Sequence, residues 1–182
     1  AYGAGTRVEL FALMIPIAFG STLIPLIGQN WGAEEYDRIR RIRFLAHRFG
    51  VIFGLITVIL LWPLAPAIAR FFSDDPAVIP FLVRFIRIVP IGSGILNVSV
   101  YVSMSLNAVG KPVQAALLGF IRAFVFLIPM AWIGAHMFGM TGMYTGLALG
   151  PVAAGIIALY FGNRIFARAI AARTMGKKNV NS

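Results

Sequence analysis

The sequence contains no cysteine, only two histidines and only six acidic residues among 182. Without cysteine, disulfides and thiolate metal sites are excluded. His47 and His136 lie far apart in sequence and offer no histidine cluster for a metal. No nucleophile paired with a base, no phosphate-cradling glycine loop and no redox motif is visible, so enzymatic chemistry has no support in the residues present. A secretory leader is not visible either, since no charged start, short apolar run and small-residue cleavage site follow one another. Charge of either sign is scarce: charged residues make up 12%, against about a quarter in an average soluble domain.

Apolar residues fill the space. They make up 59% of the chain, its mean hydropathy is +0.86, and they come in runs as long as a bilayer is thick. The chain reads as an all-α integral membrane protein. Its net charge of +10 is explained by positive segments at a cytoplasmic membrane face, not by nucleic-acid binding.

The segment that orients everything is GSTLIPLIGQNWGAEEYDRIRRIR, from Gly20 to Arg43. An apolar helix stops at a Gly-rich turn and hands over to clustered arginines, the signature of a span arriving at the cytoplasm. Five spans are predicted, at about 7–28, 49–69, 88–107, 113–135 and 141–162. A cytoplasmic loop over 29–48, amphipathic in its second half, and a basic cytoplasmic tail over 163–182 complete the reading. The turn at Arg70 to Pro76, with Asp74 and Asp75, falls outside. The chain opens on Ala and enters a helix almost at once, which predicts a fragment, the C-terminal part of something longer.

Within these spans a few residues stand out. Glu9 is the only carboxylate in a predicted span. It is either a functional acid, since a membrane acid is costly unless paired or hydrated, or an interfacial residue beside Arg7. Arg122 lies about ten residues from either end of its helix, where snorkelling is difficult. It either holds an anionic partner or a helix-end carbonyl, or is a paired arginine that fixes packing. Asn97, Tyr101 and Met104 share one helix face. With Phe11 and Met14 they are candidates to line an adaptable apolar pocket; the alternative is ordinary interhelical hydrogen bonding. Gly142, Gly146 and Gly150, at four-residue spacing, form a face for close helix approach. Gly28, Gln29, Asn30, Gly32 and Ala33 cap the first helix and position the turn, with Trp31 at the interface.

GQNWGAEEYDRIRR, from Gly28 to Arg41, resembles the loop after the second helix of a repeat in the multidrug and toxic compound extrusion (MATE) family, where G-Q-x-x-G-A precedes basic residues. Residues 1–27 look like that family's eighth helix. The RIVP entry at Arg87 to Pro90, the GKP turn at Gly110 to Pro112, and Arg122 followed by Pro129 continue the likeness in pattern. The resemblance implies most of one six-helix lobe of a two-lobed, twelve-helix transporter, in the bacterial inner membrane with its C-terminus cytoplasmic. It implies export of small cationic or amphipathic compounds in exchange for H+ or Na+, with no cofactor. The partners it implies are the bilayer and an N-terminal lobe, with no nucleic acid. The segment 91–107 carries no acid where several family members have one, which places the coupling carboxylate in the absent lobe and favours H+. A lipid-linked precursor flippase of the same superfamily and a non-transporting membrane scaffold are the alternatives.

Overall fold

The computed structural model describes the backbone of residues 2–180 and the side chains of residues 13–175. The described backbone is helical almost throughout. Helix α1 is Tyr2–Gly32, α2 is Tyr36–Phe72 and α3 is Ile79–Ile88. A 3-10 turn, Val89–Gly92, leads into α4, Ser93–Ala108. Then come α5, Pro112–Phe120, a π-helical segment, Ile121–Leu127, and α6, Ile128–Val180. Among the described residues, four stretches are long and apolar enough to cross a membrane: Leu13–Gly32, Tyr36–Phe72, Ile79–Ala108 and Pro112–Met175.

Five separate spans were expected, and the difference lies in the last stretch. It is 64 residues long, which as a straight rod would reach about 96 Å, three times the thickness of a hydrocarbon core. Instead it folds back at Phe138 (φ −133°, ψ 15°) and Gly139 (φ 62°, ψ −145°). The Gly139 conformation is essentially reserved for glycine. The two arms then run antiparallel, with Gly142 against the Gly134 backbone, Gly146 against Met130 and Gly150 against Leu127. The glycines read as a close-approach face therefore do pack a helix, and the helix is the neighbouring arm.

The expected loop over 29–48 is a second correction. Residues Gln29 to Gly32 finish α1, and α2 begins at Tyr36, so the connection is only Ala33, Glu34 and Glu35. Glu34 takes a positive φ of 62°, and the turn closes through Ala33 N–H to Gln29 O at 3.0 Å and Glu35 N–H to Asn30 O at 2.9 Å. The arginines that follow ride on a continuous helix with Asp37 in its first turn and Arg70 in its last, each placed favourably for the helix dipole. The GKP turn matches its expectation. Gly110 (φ 72°) ends α4, with its N–H on Asn107 O at 3.1 Å and the Lys111 N–H on Leu106 O at 2.9 Å. This is a Schellman closure, and Pro112 starts α5 at a position that needs no N–H.

Helix α4 is the centre of the bundle, packed against α1, α2 and the return arm of α6. Small residues let it in. A Cβ on Gly54 would collide with the Gly94 backbone, and one on Gly155 with Ile95. A Cβ on Gly20 would lie 2.7 Å from Met104 Sδ, and one on Gly50 only 3.1 Å from the Tyr101 ring. The Gly-, Ser- and Asn-rich composition of this helix thus serves contact with protein on several sides, as small residues do in membranes. Large apolar side chains instead face outward on the periphery, for example Ile59 (68% exposed) and Trp132 (62% exposed).

Prolines inside the helices free carbonyls that the fold re-uses. Pro66 cannot donate to Trp62 O, and Arg87 Nε fills the place at 3.3 Å while its guanidinium lies 5.8 Å from the Trp62 ring. Its neighbour Arg84 reaches Thr141 Oγ1 at 3.4 Å. Pro129 likewise leaves Val125 O without its helical donor. The preceding segment relaxes into π geometry, with Ile128 N–H bonding Ala123 O five residues back. A regular helix was expected there; the π segment contains Arg122.

Candidate functional site

The π segment turns Arg122 toward α4, where three cavities meet it. The first, about 170 Å³, is bounded by Leu13, Pro16, Ile17, Asn97, Tyr101 and Arg122. The second, about 320 Å³, runs along Ser103, Met104, Asn107, Pro112, Ala115 and Arg122. The third, about 250 Å³, lies toward Phe85, Val89, Leu127, Leu147 and Pro151, again with Arg122 in its wall. All three follow one side of α4, sharing Leu96 or Val100 between neighbours. Among the described residues, no acidic side chain lines any of them.

The polar groups of this site differ in how they are satisfied. Tyr101 is 1% exposed and its hydroxyl donates to Pro16 O at 3.0 Å, so its proton is committed to α1. Ser105 Oγ–H and Ser103 Oγ–H turn back onto their own helix, to Tyr101 O at 2.7 Å and Ser99 O at 3.2 Å. Asn97 is 4% exposed, and its Nδ2 has no hydrogen-bond partner. Arg122 makes no ion pair or hydrogen bond to another described residue. The expectation of a paired, packing arginine is therefore not met among the described residues. The arrangement joins an apolar wall to two sets of N–H donors without acceptors among the described residues.

Of the other predicted residues, Met104 packs its sulfur over Gly20 and lines the second cavity. Met14 is 62% exposed on the outside of α1 and borders none of the three cavities, which corrects its assignment to the pocket. Its neighbours Leu13, Pro16 and Ile17 do border one. The side chains of Glu9 and Phe11 lie outside the described residues.

Gly28, Gln29, Asn30, Gly32 and Ala33 form the end of α1. Asn30 Nδ2 donates to Leu26 O at 2.8 Å, and a Cβ on Gly28 would lie 3.8 Å from Ala108 O. Sequence reasoning missed what this end holds. Arg173 Nη1 donates to Trp31 O at 2.8 Å, with the guanidinium over the Trp31 ring at 5.1 Å and a 4.0 Å ion pair to Glu34. Arg43 is buried, donates to Asn163 Oδ1 at 2.8 Å and stacks over Phe166 at 4.3 Å. The segment expected as a tail is helix here, clamped onto the α1–α2 turn. Nothing in the local pattern distinguishes Arg43 from its exposed neighbours, because its partners lie 120 and more residues away.

Comparison with known proteins fits this architecture. The MatE family profile matches residues 1–133. An FAD transporter of Shewanella oneidensis is 31% identical over 91% of this chain, which spans 36% of that protein. The multidrug export protein MepA of Staphylococcus haemolyticus is 25% identical over 88% of the chain, which spans 35% of it. The Vibrio cholerae MATE transporter VcmN in its bent form superposes with a TM-score of 0.88 at 29% identity, covering 96% of this chain and 39% of VcmN. The chain thus spans little more than a third of the length of these relatives. With its apolar spans, its glycine-packed bundle and the family profile over most of its length, the chain is a multi-pass membrane protein of the MATE transporter family.

Proposed function

We propose that this chain forms most of one lobe of an exporter that carries amphipathic organic compounds across the bacterial inner membrane by alternating access, in exchange for H+ or Na+. The observation that carries the proposal is the row of cavities along α4. They are mainly apolar, open between the helices and are edged by a few polar groups, the make-up of a site for small organic molecules. The backbone-to-backbone packing of Gly54 on Gly94 and of Gly134 on Gly142 makes the lobe a stiff body, which suits rocking of one lobe against another. The named relatives include both multidrug exporters and an FAD transporter, so transport of organic cargo is common to them while the cargo varies. Because the segment 91–107 carries no acid, the coupling carboxylate is assigned to the other lobe, with H+ as the favoured ion. The arginine-rich end is assigned to the cytoplasm.

The test is transport by the complete transporter in liposomes, following ethidium under an imposed pH or Na+ gradient. Gradient-dependent movement is expected, faster with the pH gradient. Folded protein that moves neither ethidium nor other organic probes under either gradient overturns the reading. Neutralising the acids of the other lobe without loss of gradient-driven movement overturns the assignment of the coupling site.

A further inference from the structure

The cavity of about 170 Å³ is smaller than the roughly 300 Å³ or more that drug-sized ligands require, so it accommodates a group and not a whole molecule. Its polar wall is one-sided. Arg122 brings a guanidinium, with five N–H donors and no acceptor, and it pairs with no other described residue. Asn97, more than nine-tenths buried, brings an Nδ2 that also lacks a partner. The third polar side chain of this wall, Tyr101, gives its proton to Pro16 O. Asn97 is buried and Arg122 half-buried; donors withdrawn from water without acceptors are costly, and the cost falls most when the incoming acceptor is an anion.

We propose that Arg122 and Asn97 form a subsite for an oxyanion, a phosphate or carboxylate group, carried on an otherwise apolar or aromatic compound. This rests on the transport reading for its physiological meaning, and on the cavity alone for its chemistry. The second cavity, along Met104, Pro112, Ala115 and Ala116, receives the apolar portion, with Arg122 as the shared edge. The flexible thioether of Met104 adapts to the shape of the ring or chain. Among the described residues no acid lines these walls, so no described side chain repels the anion there.

Flavin mononucleotide and riboflavin share one ring system and differ by a phosphate, so their ratio of affinities isolates the oxyanion. Binding of both to the complete transporter in phosphatidylcholine nanodiscs is the measurement, with thermal melting to verify folding. Wild type is expected to prefer flavin mononucleotide by about ten-fold or more, the scale of one charge-assisted hydrogen-bonded pair. Arg122→Gln is expected to bring the ratio close to one. Arg122→Lys, which keeps the charge but loses the planar fork, should retain part of it if the glutamine variant does not fold. Arg70→Gln, exposed at the end of α2, should leave the ratio as in wild type.

A wild-type ratio near one, meaning that Arg122 is neutralised from elsewhere in the transporter, overturns the subsite. So does an equal fall in both affinities on Arg122→Gln. If phosphatidylglycerol in the nanodisc competes with flavin mononucleotide in wild type but not in Arg122→Gln, the oxyanion subsite stands and a lipid headgroup is its source. Ethidium transport in parallel liposomes separates the two proposals. Dye movement without phosphate preference removes the subsite and keeps the exporter, and preference without transport of any probe does the reverse.

Discussion

At the scale of single residues, burial and pairing separate side chains that look alike in the sequence. Arg38, Arg40, Arg41, Arg43 and Arg48 belong to one basic run, yet only Arg43 is buried. Taking a guanidinium out of water is tolerable only when other groups replace the lost hydration. Here Asn163 accepts a hydrogen bond and the Phe166 ring faces the charge. Arg43→Ala is therefore expected to destabilise the complete protein by about 2 kcal/mol, and Asn163→Ala by about 1 kcal/mol. The double variant should be less destabilised than the sum by at least about 0.5 kcal/mol. Thermal unfolding of the single and double variants in detergent measures this coupling; additive shifts would show that the contact carries no energy of its own. Glu34 shows the same dependence on context. Its positive φ is unusual for a non-glycine residue, and it is held in the tight α1–α2 turn beside Arg173.

The elements of this chain are shaped by their prolines and glycines as much as by their apolar faces. Pro129 is the clearest case. Removing the N–H at that position frees Val125 O and coincides with the π segment that presents Arg122 to the cavities. A proline inside a helix costs about 3 kcal/mol relative to alanine, so its presence here opposes stability. Pro129→Ala is expected to raise the melting temperature and to lower transport at the same time, because the segment can return to α geometry and rotate Arg122 away. Melting and liposome transport on one preparation test it. A variant equally active and more stable would show that the π segment has no part in function. The Gly139 break is the complementary device, where a residue without Cβ lets a 64-residue apolar stretch fold into two arms that each fit a bilayer.

Across the whole molecule, charge is distributed by end. The start of α2, the GKP turn and the helical continuation of α6 past Asn163 carry most of the cations, whereas Asp74 and Asp75 mark the opposite end. With the basic end inside, a membrane-impermeant thiol reagent applied to intact cells is expected to label Asp75→Cys and to spare Lys111→Cys. The background is the complete protein with its other cysteines removed; this chain itself contributes none. Labelling of Lys111→Cys and protection of Asp75→Cys would reverse the orientation. The clamp of α6 on Trp31, Glu34 and Arg43 closes the basic end of the bundle and ties the last helix to the first turn.

Much of this architecture was legible along the chain because its causes are local. Bilayer-length apolar runs define spans, clustered arginines mark one end, glycines at four-residue spacing mark a close contact, and G-K-P forces a capped turn. The MATE likeness of residues Gly28 to Arg41 is local too. The expected loop over 29–48 failed because charge density suggested solvent, while the helix could continue by facing Arg43 inward to a partner 120 residues away. The same limit applies at the cavities. That Met14 faces outward while Pro16 meets Tyr101 across 85 residues, and that Arg122 meets three cavities and no described acid, depends on how α4 is seated among α1, α2 and α6. Composition and periodicity by themselves determined a multi-span helical membrane protein and its basic end, since a bilayer acts on each segment separately. Only the tertiary structure decided which donors are left without acceptors, because satisfaction of a buried polar group is a property of whatever distant segment packs against it.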